Sequence, residues 1–162
     1  MAETKGITYI RMMLDILNKK ESSLKELPEL TTAQERILKG EEFDEDGFDG
    51  LMKKKGDQLR KLGEYDEGFQ AIYNRVAEEL QNDKEEYKEQ ILEMQRLITE
   101  ITDLSVKLTA LEEKNKTALE VLFREKRQNI RQFKVSKQTA DKYYKNMIDM
   151  QTGASYFMDQ KK

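Results

Sequence analysis

Asp44, Asp46 and Asp49 are the residues of this chain whose type and spacing come nearest to metal chemistry. A twelve-position calcium loop opening at Asp44 needs a bidentate acid at residue 55. Lys55 stands there instead, so the calcium reading is rejected and no metal site is expected. The acid pairs Glu78/Glu79 and Glu112/Glu113 are chain neighbours that project about 100° apart on a helix, which predicts solvent-facing charges rather than paired acid–base groups. Without cysteine there is no thiol nucleophile, disulfide or sulfur-ligated zinc. Without histidine the commonest general base and transition-metal ligand is missing too. Nor is there a glycine-rich phosphate loop, a nucleophile elbow or a carboxylate–histidine helix motif. The expectation is a protein that is not an enzyme and carries no cofactor.

The residues that remain informative are apolar and lie at helical spacing. One stripe reads Phe48, Met52, Leu59, Leu62, Phe69, Tyr73, Val76, Leu80, and a second reads Tyr87, Ile91, Met94, Ile98, Ile101, Leu108, Leu119, Leu122. Steps of three and four keep one side of a helix apolar, and that side is satisfied only against other helices. With 38% charged and 37% hydrophobic residues, the 162-residue chain suits narrow seams between long helices better than a thick core. The predicted fold is all-α: long antiparallel helices in a coiled-coil-like three-helix bundle over 1–133, with an overhanging C-terminal helix, then a mobile, partly ordered tail over 134–162.

The helices are expected at about 8–39, 44–81 and 84–133. Pro28 predicts a kink or short break near Leu27, with Thr32 and Glu35 at capping-box spacing to restart the helix. Gly40–Gly47 is the first turn, and its acidic run suits the positive end of the second helix. Gly56 and Gly63 lie a heptad apart beside the seam, where they either permit close helix approach or simply loosen the helix; the looser helix is the favoured reading. Asn82 and Asp83 mark the second turn; the rival is one uninterrupted rod of about 130 Å. If the third helix folds back, Lys114 and Lys116 come opposite Phe48 and Gly50, beside the acidic patch. Its end then overhangs the second helix.

Charge is uneven along the chain. Residues 41–52 hold six acids and no base, whereas residues 114–145 hold ten bases against three acids. Both blocks are expected as solvated faces, and nucleic acid is not an expected partner. No apolar run of membrane-spanning length occurs, and Thr8, Arg11 and Asp15 interrupt the first apolar stretch, so no membrane insertion or signal peptide is expected and the predicted location is the cytoplasm. Beyond the seam the tail carries Tyr143, Tyr144, Met147, Tyr156, Phe157 and Met158, adaptable contact residues expected to be mobile until bound, the alternative being that the tail packs back on its own bundle.

The stretch Glu35–Asp66 resembles the N-terminal hairpin of flagellar type III export chaperones of the FlgN kind. The residues that carry it are Ile37-Leu38, Gly40, Phe43, Phe48, Leu51-Met52, Lys54-Lys55, Leu59, Leu62 and Asp66. Leu108, Leu111, Glu112, Asn115, Leu119 and Leu122 resemble that family's C-terminal helix. The Tyr143-Tyr144-x-x-Met147 tail and the Phe157-Met158-Asp159 ending resemble members from Gram-positive anaerobes. The glycine-rich second helix and long tyrosine-containing tail depart from the common pattern and leave the related FliT-like chaperones open as well. The resemblance implies a cytoplasmic chaperone that binds the C-terminal helix of a hook-associated or filament-cap protein and docks at an export-gate component.

A helix-in-groove contact needs apolar anchors at i, i+3, i+4 and i+7. Asn115, Leu119, Leu122, Phe123, Lys126 and Ile130 supply such a row, and Phe133, Tyr143, Tyr144 and Met147 complete the expected partner-binding set. Asn115 at a seam position is expected to choose partner or register. The alternatives are a structural coiled-coil oligomer, such as a homodimer zipped through 112–133, and a regulatory adaptor that binds an acidic partner through the basic block.

Overall fold

The computed structural model describes residues 5–126 and 138–147. Among them are four helices and no strand: α1 (Lys5–Lys39), α2 (Glu45–Asn82), α3 (Lys88–Lys126) and α4, described over 138–147. The all-α bundle expected from the sequence is what forms. The α1 helix makes the close backbone approaches to both α2 and α3. Lys20 reaches Asp66 and Gln58 reaches Glu26, so α1 and α2 are antiparallel; Thr31 meets Glu112 and Asn115, so α1 and α3 run parallel. The three long helices therefore run up, down and up.

The predicted stripes form the core. On α2, Phe48, Met52, Leu59, Leu62, Phe69, Val76 and Leu80 are buried, and on α3 so are Tyr87's neighbours Met94, Leu97, Ile98, Ile101 and Leu108. Tyr87 itself is buried in the turn between them. Asp44 caps α2, its Oδ1 accepting from the Gly47 N–H at 3.0 Å, with Glu45 and Asp46 in the positive first turn. A Cβ at position 47 would strike the Asp44 carboxylate, so glycine there lets the cap close. The acidic run thus starts a helix, as its position suggested.

Two expectations on the helices change, the break at Pro28 and the start of α3, and two are kept. Pro28 lies inside a continuous α1, with neither break nor restart at Thr32. Leu24, Leu27 and Thr31 around it are buried, and that packing outweighs the one hydrogen bond a proline deletes. Chain reversal occurs over 83–87, where the turn was placed, which rules out the single rod; α3 starts later, at Lys88. Gly56 and Gly63 face open space, with nothing within 4 Å of an added Cβ, so they mark a looser helix and no close approach. The tight approach is at Gly6, where a Cβ would sit 2.6 Å from Glu79 Oε2 and 2.7 Å from the Tyr87 hydroxyl.

At the opposite end Phe43 packs on Phe48 and, edge-on, on Phe123. Residue 123 of α3 is thus level with the start of α2, so within the described residues α3 extends only about a turn beyond it. The expected overhang over 127–133 lies outside the described residues.

Candidate functional site

About three-quarters of the way along α1 the apolar stripes of the three long helices are interrupted in the same layer. The interrupting residues are Thr31 and Gln34 on α1, Lys55 on α2, and Glu112 and Asn115 on α3; each is no more than 2% exposed. Each also sits where its stripe calls for an apolar side chain: Lys55 falls between Met52 and Leu59, and Glu112 between Leu108 and Asn115. Helical spacing turns these side chains inward whatever their polarity, and they must then satisfy one another.

They do so around one carboxylate oxygen. Lys55 Nζ lies 2.6 Å from Glu112 Oε1. The Thr31 hydroxyl donates to the same oxygen at 2.6 Å, and the Tyr143 hydroxyl of α4 donates to it at 2.9 Å. Lys55 also donates to Gln34 Oε1 at 2.6 Å, and Asn115 Nδ2 donates to the Thr31 carbonyl at 2.9 Å. The ammonium lies 4.4 Å from the centre of the Tyr143 ring, a cation–π distance. Glu112 Oε2 is also buried and has no hydrogen-bond partner among the described residues. Burial pushes the Lys55 ammonium below its usual range, and the adjacent Glu112 opposes that shift. Burial, followed by the negative charge of Glu112, raises the Tyr143 phenol above its ordinary value, so it stays a neutral donor.

The α4 helix is seated against both α2 and α3, since Tyr143 touches Lys55 of α2 and Glu112 of α3. Ala140, Tyr143, Tyr144 and Met147 are buried at the i, i+3, i+4, i+7 rhythm of a helix lying in a groove. Tyr144 stacks edge-on against Tyr143 and lies under the Lys116 ammonium, 5.8 Å from ring centre to nitrogen.

Of the residues expected to face a partner, Asn115, Leu119 and Phe123 are core residues of the bundle and Leu122 is half-buried. Tyr143, Tyr144 and Met147 are covered too, by the chain's own bundle. Residues 138–147 are thus packed in this structure, where a mobile tail was expected. Lys126 ends α3, while Ile130 and Phe133 lie outside the described residues, as do Tyr156, Phe157 and Met158. Glu112, expected in solvent, is 2% exposed, and Lys55, read as the residue that spoils a calcium loop and as part of the chaperone resemblance but not as a core residue, is fully buried. The signal for both was their place on the stripes. Across the α2–α3 pair Lys55 faces Glu112, about three residues from the expected register; a near-turn shift keeps the same faces inward.

Asp44, the first of the candidate calcium ligands, is committed to its cap, and among the described residues no carboxylates cluster as a metal site. A second cleft, of about 450 Å³, lies between α2 and α3 at the turn end and includes Tyr73, Leu80, Ile91 and Leu92 in its lining. Its lining also includes Gln81, Lys84, Glu85, Lys88 and Gln95, all exposed to solvent rather than buried as the Glu112 layer is. Among the described residues no helix is long and apolar enough to cross a membrane. Comparison of the chain with protein-family models, curated proteins and solved structures gives no match.

Proposed function

We propose that this protein is a helix-binding chaperone, of the flagellar export kind its sequence resembles, that acts without catalysis in the cytoplasm. The observation that carries this reading is α4: the bundle already holds an amphipathic helix in a groove by four anchors and one buried hydrogen-bond layer. A surface built to accept one such helix accepts another of similar pattern, and the tethered α4 keeps the groove covered until a partner arrives. The C-terminal helix of a hook-associated or filament-cap protein is the proposed guest. Binding there would withhold that helix from premature assembly, and the chaperone would carry its client to an export-gate component.

The coiled-coil homodimer is the weaker reading. The seam residues such a dimer needs, Asn115, Leu119 and Phe123, are already buried within one chain. Titration calorimetry of the full chain with purified hook-associated and cap proteins is the test. One-to-one binding to one of them, lost when its C-terminal helix is removed, is expected. Failure to bind any of them, with the chain eluting as a stable dimer, would return the dimer as the better account.

A further inference from the structure

Glu112 has more to offer a bound helix than α4 takes. One of its oxygens gathers Lys55, Thr31 and Tyr143, while the other, also buried, has no partner among the described residues. The Tyr144 hydroxyl is likewise buried and has no hydrogen-bond partner among the described residues, so α4 brings two phenols to the layer and seats one there. Lys55, held against Glu112 and under the Tyr143 ring, presents a cation to whatever aromatic face lies over it. An aliphatic side chain at this place would leave Glu112 one donor short and Lys55 without its ring, an unfavourable state for buried charges.

We propose that Lys55 and Glu112 form a selectivity layer that admits partner helices carrying a tyrosine at the place Tyr143 occupies and discriminates against apolar residues there. The occupant is an amphipathic helix of another protein with a small residue three positions before that tyrosine and an apolar anchor four positions after it, the pattern of Ala140, Tyr143 and Met147. The ring lies over the Lys55 ammonium and the hydroxyl donates to Glu112. The inference rests on the helix-capture reading above and adds to it the chemistry of the guest. A hydrogen bond to a charged, buried acceptor discriminates by about tenfold or more against an otherwise identical side chain lacking the donor.

The experiment uses the full chain with Tyr143→Ala, which loosens its own α4, and a labelled peptide of residues 136–150 in two forms, one with tyrosine and one with phenylalanine at 143. Fluorescence anisotropy reads both affinities. The tyrosine form is expected to bind at least about tenfold more tightly. That ratio should fall towards one when the chain also carries Lys55→Met and Glu112→Leu. Equal binding of both peptides to the Tyr143→Ala chain overturns the selectivity layer and leaves helix capture standing. Binding of neither peptide, or exchange of α4 between copies in a dimer, overturns both. The first comparison changes only the peptide, so it stands even if the doubly substituted layer fails to fold.

Discussion

Lys55 and Glu112 are oppositely charged, less than 3 Å apart and sealed from water. Burying two charges costs several kcal/mol per ion, and mutual attraction offsets this only when the remaining donors and acceptors are engaged, as Thr31, Gln34 and Tyr143 engage them here. Lys55→Met alone should therefore destabilise the chain by about 3–5 kcal/mol, because it strands a buried carboxylate. The double variant Lys55→Met/Glu112→Leu should recover part of that loss in urea unfolding; additive losses would show that the two side chains do not act as a pair. The phenols give a pH test. Burial, then the charge of Glu112, raises Tyr143 and Tyr144 from an ordinary 10.0. A raised folded value means that their contribution is complete below about pH 10, the ordinary unfolded value, and is lost progressively as pH rises from there through the raised folded value. In a spectrophotometric titration Tyr143 and Tyr144 should ionise only as α4 leaves the bundle. All seven tyrosines titrating together near pH 10 would contradict that burial. That both charged residues fall on apolar stripes was legible in the sequence. Their pairing was not, because it depends on the register between α2 and α3, which periodicity leaves free by a turn.

The helices themselves were readable because their stripes were. Phe48, Met52, Leu59 and Leu62 repeat at seam spacing, and every one is buried. Asp44 and the acids after it announced the start of α2 through simple end-charge physics. Pro28 misled, because a local rule about proline was set against burial on both sides of it, and burial prevailed. Gly56 and Gly63 are where the sequence left stability unused. An added Cβ meets nothing within 4 Å at either position. Gly56→Ala and Gly63→Ala should each stabilise by about 1 kcal/mol, and the two should add in thermal unfolding because they share no neighbours. Destabilisation by either would mean that α2 needs those positions free for a partner.

For the molecule as a whole, α4 completes the packed bundle, and in the helix-capture proposal it is the element a partner would displace. Ala140, Tyr143, Tyr144 and Met147 belong to its core, so deleting residues 134–162 should lower the melting temperature. An unchanged melt would show that α4 contributes nothing to the closed state. The tail's stickiness was evident from its tyrosines and methionines. Composition could not say whether the surface they contact belongs to this chain or to another, since the same i, i+3, i+4, i+7 pattern serves both. The most direct measurement is hydrogen exchange on the full chain, alone and saturated with the C-terminal helix of a hook-associated or cap protein. Helix capture predicts that amides of 138–147 lose protection when the guest binds, while those of Lys88–Lys126 keep theirs. A saturated complex in which 138–147 stays protected would contradict it, because the guest would then lie somewhere other than the α4 groove.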